Sequence, residues 1–190
     1  MAPVLAVLAA LAVTVALSAP LDAQARTLAR VTLPDTLAVD GASLRLTGMA
    51  LYKKVTFNVL VAGLYLEGPE RSAERVLAAD RPRRYVTRFL RNVGAKRVRD
   101  AWRKGFRQNS PDAPAEVRAQ FEQLCGWIRD FRRGDEIVVT YVPGRGSEVE
   151  ISGASAHTIP GKGFADAYFA LVLGPKPVPG EKFKRRLLGG

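Results

Sequence analysis

The sequence predicts an α+β domain with helices laid on one face of a mainly antiparallel sheet, and three observations carry this. Asp40-Gly41 stands between two apolar runs, a strong short-range signal for a two-residue hairpin turn. Leu51 to Glu67 is dense in β-branched and aromatic residues, and Pro143-Gly144-Arg145-Gly146 separates two further runs of that kind. The middle and the end of the chain instead carry three apolar stripes at helical spacing.

Taken in order, Leu37 to Val39 and Ala42 to Leu46 form the opening hairpin around Asp40-Gly41. Leu51 to Glu67 then reads as two strands, or as one long bent strand, interrupted near Ala62-Gly63. Tyr85 to Arg91 alternates well enough for another strand, and Ile137–Val142 with Glu148–Ile151 makes a further pair. Val98, Trp102, Gly105 and Phe106 recur at the spacing of one helix face, while Lys96, Arg97, Arg99, Arg103, Lys104 and Arg107 fill the remaining positions. This amphipathic helix ends near Asn109-Ser110-Pro111. Val117, Phe121, Leu124 and Ile128 give a second stripe, running to Phe131 and stopped before Gly134. Phe164, Ala167, Tyr168, Leu171 and Val172 give a third, ended by Gly174-Pro175, and a short helix spans about Glu181 to Leu188.

The first 25 residues stand apart from this pattern. Val4 to Leu17 is an uncharged apolar run of 14 residues, short for a bilayer span of about 20 and suited to the core of a signal peptide. Ala23-Gln24-Ala25 has the small-x-small pattern of a cleavage site, so residues 1–25 are expected to be a signal peptide and 26–190 one domain, exported to a bacterial periplasm or secreted. The competing reading is an uncleaved anchor, since residues 1–25 contain no Lys or Arg. The lone Cys125 has no disulfide partner and sits beside Leu124 and Ile128, which predicts an inert buried thiol.

The 190 residues carry 29 Lys and Arg against 18 Asp and Glu, a net charge of +11. Such an excess suits nucleic acid or an anionic membrane. An exported chain rarely meets nucleic acid, so no nucleic-acid partner is expected, and a weak association with an anionic membrane surface is the surviving alternative. The apolar content of 47% excludes a disordered tail, and one Cys excludes a disulfide-stapled one. Catalytic triads and zinc sites need His, or Cys in number, and the chain offers His157 and Cys125 alone; no metal and no cofactor are expected. His157 reads as an exposed residue at a strand end, and Gly144-Arg145-Gly146 as a hairpin turn, because no helix follows it to cradle a phosphate.

Several stretches taken together resemble the exported bacterial chalcone isomerase-like proteins. They are LPDTLAVDGASLRLTG, LYKKVTFNVLVAGLYLE, YVTRFLRNV, RVRDAWRKGFRQN and HTIPGKGFADAYFALVLGPKPV, spread from about Val31 to Leu188. The resemblance implies an open-faced β-sandwich with a ligand cleft between sheet and helices. It also implies one of two functions. Plant enzymes of the family close a chalcone into a flavanone, whereas non-catalytic relatives include fatty-acid binders.

The enzymes use a strand arginine, a helical tyrosine and asparagine seven residues apart, and nearby hydroxyls. On this chain the resemblance sets Asn109 on the asparagine, Trp102 at the tyrosine, Tyr52 approximately at the arginine and Leu60 near a hydroxyl position. An indole can donate but cannot accept a proton, and Lys53 would replace a guanidinium only as a flexible point charge. The expected function is therefore an exported non-catalytic binder of a fatty acid or similar amphipathic small molecule, the alternative being an intramolecular lyase with altered donors. The candidate ligand-binding residues are Tyr52, Lys53, Arg91, Trp102 and Asn109, with Asn109 the one catalytic candidate, and Arg91 is favoured as the cation for an acidic head group. Phe57, Phe89, Phe106 and Tyr65 are expected in the core, and as ligand contacts only if a cavity remains unfilled.

Overall fold

A computed structural model describes residues 24–190, so nearly all of the expected signal peptide, residues 1–23, lies outside the described residues. Seven antiparallel strands form a meander in which each strand pairs with the next in sequence: β3 (Thr36–Val39), β4 (Ala42–Lys54), β5 (Phe57–Leu66), β6 (Arg83–Phe89), β7 (Glu136–Val142), β8 (Gly146–Ile151) and β9 (His157–Ile159). A separate two-stranded ribbon, β1 (Ala25–Leu28) and β2 (Val31–Pro34), precedes them. The helices are α1 (Ala73–Ala78), α2 (Ala95–Asn109), α3 (Ala115–Trp127), α4 (Lys162–Leu173) and α5 (Glu181–Leu187).

Alternation along the strands sorts apolar residues onto two faces. Ala62, Leu64, Tyr85, Phe89, Ile137 and Val139 face the helix layer and pack with Phe121, Leu124, Phe164 and Phe169. Leu44, Leu46, Val61, Tyr65, Val86 and Val138 face the other way, where β2 covers them with Val31 and Leu33. The expected α+β architecture is thus the observed one, with helices on one face of an antiparallel sheet and the ribbon on the other.

The Asp40-Gly41 hairpin forms as read, with both residues at positive φ (49° and 80°), the geometry such a turn requires. Two other turns carry no such sequence cue. Ala29 and Arg30 adopt φ of 48° and 67° to join β1 to β2, so the chain opens one hairpin earlier than expected. The long apolar segment breaks at Val55-Thr56 rather than near Ala62-Gly63, with Val55 held at a φ of 56°. A β-branched residue in that region costs on the order of 1–3 kcal/mol. Gly63 instead continues β5 unbroken: a Cβ there would lie 2.4 Å from Leu33 Cδ1, so the glycine makes room for the ribbon. Tyr65 belongs to the ribbon face, its hydroxyl donating to the Pro34 carbonyl at 2.9 Å.

One buried cation fixes one end of the molecule. Arg83 is almost fully buried, donates to the Val76 carbonyl at 2.7 Å, pairs with Asp166, and lies about 5 Å over the rings of both Tyr141 and Phe169. Cys125 is fully buried as expected, and burial pushes its thiol up to about 11. His157 is exposed and stacks on Trp127 with ring centroids 4.2 Å apart.

At the sheet edge, Gly48 lets α5 settle onto β4, since a Cβ there would stand 2.1 Å from the Arg186 carbonyl oxygen and 2.6 Å from that of Leu187. Both obstacles are backbone and cannot rotate away. Gly48→Ala is therefore expected to lower stability by about 1–3 kcal/mol in urea unfolding, and an unchanged midpoint would show that α5 is free to lift.

Candidate functional site

Between the sheet and helices α2 and α4 lies a cavity of about 660 Å³. Its depth is made by Tyr85, Thr87, Phe89 and Ile137 from the sheet and by Tyr168 and Leu171 from α4, all buried. Its mouth lies between the β4–β5 turn and the start of α2, where Lys54, Val55, Phe57, Arg91 and Arg97 are exposed.

The start of α2 is located by contacts from elsewhere in the chain. Gly94 provides no side-chain cap; instead the Asp130 carboxylate accepts the N–H of Ala95 at 2.7 Å, satisfying one of the helix's free donors and placing an anion at its positive end. Val93 and Phe131 exchange both of their backbone hydrogen bonds at 2.9 Å, and Arg99 donates to the Ile128 carbonyl at 2.7 Å. Arg97 is thereby held at the rim.

At its other end α2 approaches the segment after α4 closely. A Cβ on Gly105 would fall 2.2 Å from Val178 Cγ2, and Val178 forms part of the cavity wall. Asn109 clasps the same segment: its Nδ2 donates to the Gly105 and Lys176 carbonyls at 2.8 and 2.9 Å, and its Oδ1 accepts from the Lys176 N–H at 2.8 Å.

The five expected ligand residues therefore divide. Tyr52, Arg91 and Trp102 line the cavity; Lys53 and Asn109 are not among its lining residues. For Lys53 the reason is alternation, which directs Tyr52 and Lys54 to the cavity side of β4 and Lys53 to the opposite side. For Asn109 the reason is that both ends of its amide are occupied by backbone partners. Phe57, expected in the core, stands more than half exposed at the mouth, with the Arg91 guanidinium 4.7 Å over its ring. Arg88 is directed away and pairs with Glu136 at 2.8 Å.

Sequence reading missed the polar groups in the depth. Tyr85, Thr87 and Phe89 alternate onto the cavity side of β6, and Tyr168 meets Tyr85 and Trp102 edge-on with ring centroids 6.3 and 5.7 Å away. Burial pushes both phenols well above their ordinary range, an effect the Thr87 hydroxyl partly offsets at Tyr85. The signal that could have found them was the period-two alternation within YVTRF, which sets Tyr85 and Thr87 together.

The family model described as chalcone isomerase-like matches residues 25–189. The chain belongs to the chalcone isomerase-like family. No curated protein sequence matches significantly. Among solved structures, the crystal structure of a fatty-acid binding protein of Arabidopsis thaliana is similar to this chain. It has a TM-score of 0.66 and 16% identity, covering 87% of this chain and 96% of that one, and at such identity the likeness is one of fold.

The clasp predicts a particular mutant. Asn109→Ala removes the side-chain bonds to the N–H and carbonyl of the exposed Lys176, so it is expected to cost about 0.5–1.5 kcal/mol of stability in denaturant unfolding. A variant as stable as the parent would mean that water replaces the amide at no cost.

Proposed function

We propose that the protein is a non-catalytic binder of a fatty acid or a similar amphipathic anion, tail in the cavity and head group at the mouth. The observation that carries this is an apolar hollow rimmed by cations that have no carboxylate partner: among the described residues, Lys54, Arg91 and Arg97 form no ion pair. At about 660 Å³ the cavity falls within the range of ordinary small-molecule pockets. Each methylene removed from water contributes about 0.8 kcal/mol, and a hydrogen bond to a charged head group about 1.5–3 kcal/mol. The similar Arabidopsis structure is titled a fatty-acid binding protein, which supports the same reading.

Retained isomerase chemistry has less support. The asparagine that would orient a substrate is bonded into the α2 clasp, and Trp102 stands in place of a phenol that could exchange protons. Export belongs to the proposal too, supported by the apolar run Val4–Leu17 and by Ala23-Gln24-Ala25.

A fluorescent fatty acid should bind saturably, and Arg91→Ala should weaken it about tenfold, the equivalent of about 1.4 kcal/mol, while a fatty alcohol of equal length binds both proteins alike. No saturable binding, or equal loss for acid and alcohol, would refute an anion-reading mouth. For export, mass spectrometry of protein from its own host should find a chain beginning at Arg26, and a retained Met1 would remove export from the proposal.

A further inference from the structure

The β4–β5 turn at the cavity mouth is more exposed and more apolar than its place on a sheet rim requires. Three large apolar side chains stand exposed among the described residues: Val55 at 87%, Phe57 at 59% and Val178 at 37%. Val55 and Phe57 stand together at the mouth of the cavity, whereas Val178 lies in its wall against Gly105, toward the far end of α2. Two of the three thus share one turn, flanked by polar residues, which is the arrangement of an interaction site rather than the usual scatter. Val55 is moreover kept outward on a left-handed backbone, φ 56°, which a β-branched residue adopts only at a cost.

The charges around this tip have one sign. Lys53 and Lys54 precede Val55, and Arg91 and Arg97 stand on the facing rim. None of these four forms an ion pair among the described residues, and the nearby Asp100 is taken by Lys96 at 2.6 Å. Apolar side chains that project outward within a ring of unpaired cations are complementary to one kind of partner, an anionic phospholipid surface. There the ring meets the head groups while Val55 and Phe57 enter the acyl boundary.

We infer that the β4–β5 tip, Lys53 to Phe57, docks the protein on an anionic phospholipid membrane with the cavity mouth turned to the bilayer, so that an amphipathic ligand passes between membrane and cavity without crossing open water. The transfer role rests on the binding function proposed above; the docking itself does not. The opposite end of the sheet, where Arg145 of the β7–β8 turn pairs with Asp40, would face away from the membrane.

Co-sedimentation with vesicles tests docking with no fatty acid present, so its failure is separable from a failure of ligand binding, which is measured without vesicles. The protein should sediment with phosphatidylcholine vesicles that contain phosphatidylglycerol and not with phosphatidylcholine alone. Each cation near such a surface contributes roughly a fivefold factor, so Lys53→Glu should weaken association by more than about tenfold, and added salt should release the protein. The second measurement does not depend on loss of function: an environment-sensitive dye on Val55→Cys should shift to the blue on anionic vesicles, and the same dye on Arg145→Cys should not. The buried Cys125 thiol leaves the introduced cysteine as the reactive one. Equal binding to neutral vesicles, equal dye shifts at both positions, or sedimentation without vesicles through self-association would each overturn the inference.

Discussion

Helix α2 is held at its two ends by different partners, and the space it bridges between them is the cavity. At the start, Asp130 takes the N–H of Ala95 and Arg99 reaches the Ile128 carbonyl; at the end, Gly105 meets Val178 and Asn109 bonds Lys176. Fifteen helical residues span about 22 Å, and a rigid rod fixed at both ends cannot settle onto the sheet between them. The α2 residues over the gap include Ala101 and the half-buried Trp102, and beneath them the sheet offers Tyr85 and Thr87.

Strand β6 shows the same polarity in two arginines. Arg83, at its start, is enclosed by Val76, Asp166, Tyr141 and Phe169, so its charge is neutralised within the fold and joins α1, α4 and the sheet. Arg91, just past its end, rests on Phe57 and forms no ion pair among the described residues. A buried guanidinium must be paired, because removing it from water unpaired costs several kcal/mol, whereas an exposed one can stay free for a ligand. The closed and open ends of the helix–sheet interface follow from that difference.

Much of this was legible in the sequence, for reasons that differ by residue. Asp40-Gly41 announced its hairpin because the turn needs two left-handed residues and those two types adopt that conformation most readily. The stripe through Val98, Trp102 and Phe106 announced α2; Tyr52 was placed near the cavity by resemblance, and Arg91 by strand alternation, which leaves Arg88 on the other face. The turns at Ala29-Arg30 and Val55-Thr56 gave no warning: the two-residue connections between paired strands hold Ala29, Arg30 and Val55 in a left-handed backbone against local preference. Lys53 was misplaced because it adjoins Tyr52, and a step of one residue along a strand reverses the face, so the two could not share the cavity. Asn109 misled for another reason. An amide suits a substrate oxygen and a backbone clasp equally, and only the position of Lys176, far along the chain, decides between them.

The distribution of polarity within the cavity bears on what it can do. Burial holds the phenols of Tyr85 and Tyr168 in the protonated form well beyond physiological pH, so they are neutral and unsuited to removing a proton from a bound phenol. The fixed positive charges are all at the rim, on Lys54, Arg91 and Arg97. Stabilising an enolate in the depth would fall to those neutral hydroxyls alone, with no fixed positive charge beside them among the described residues. Neutral hydroxyls below and cations above instead match a ligand whose anionic end stays at the surface while its chain points inward. The same order leaves the mouth unsealed, since the groups that grip the head are those that face the outside.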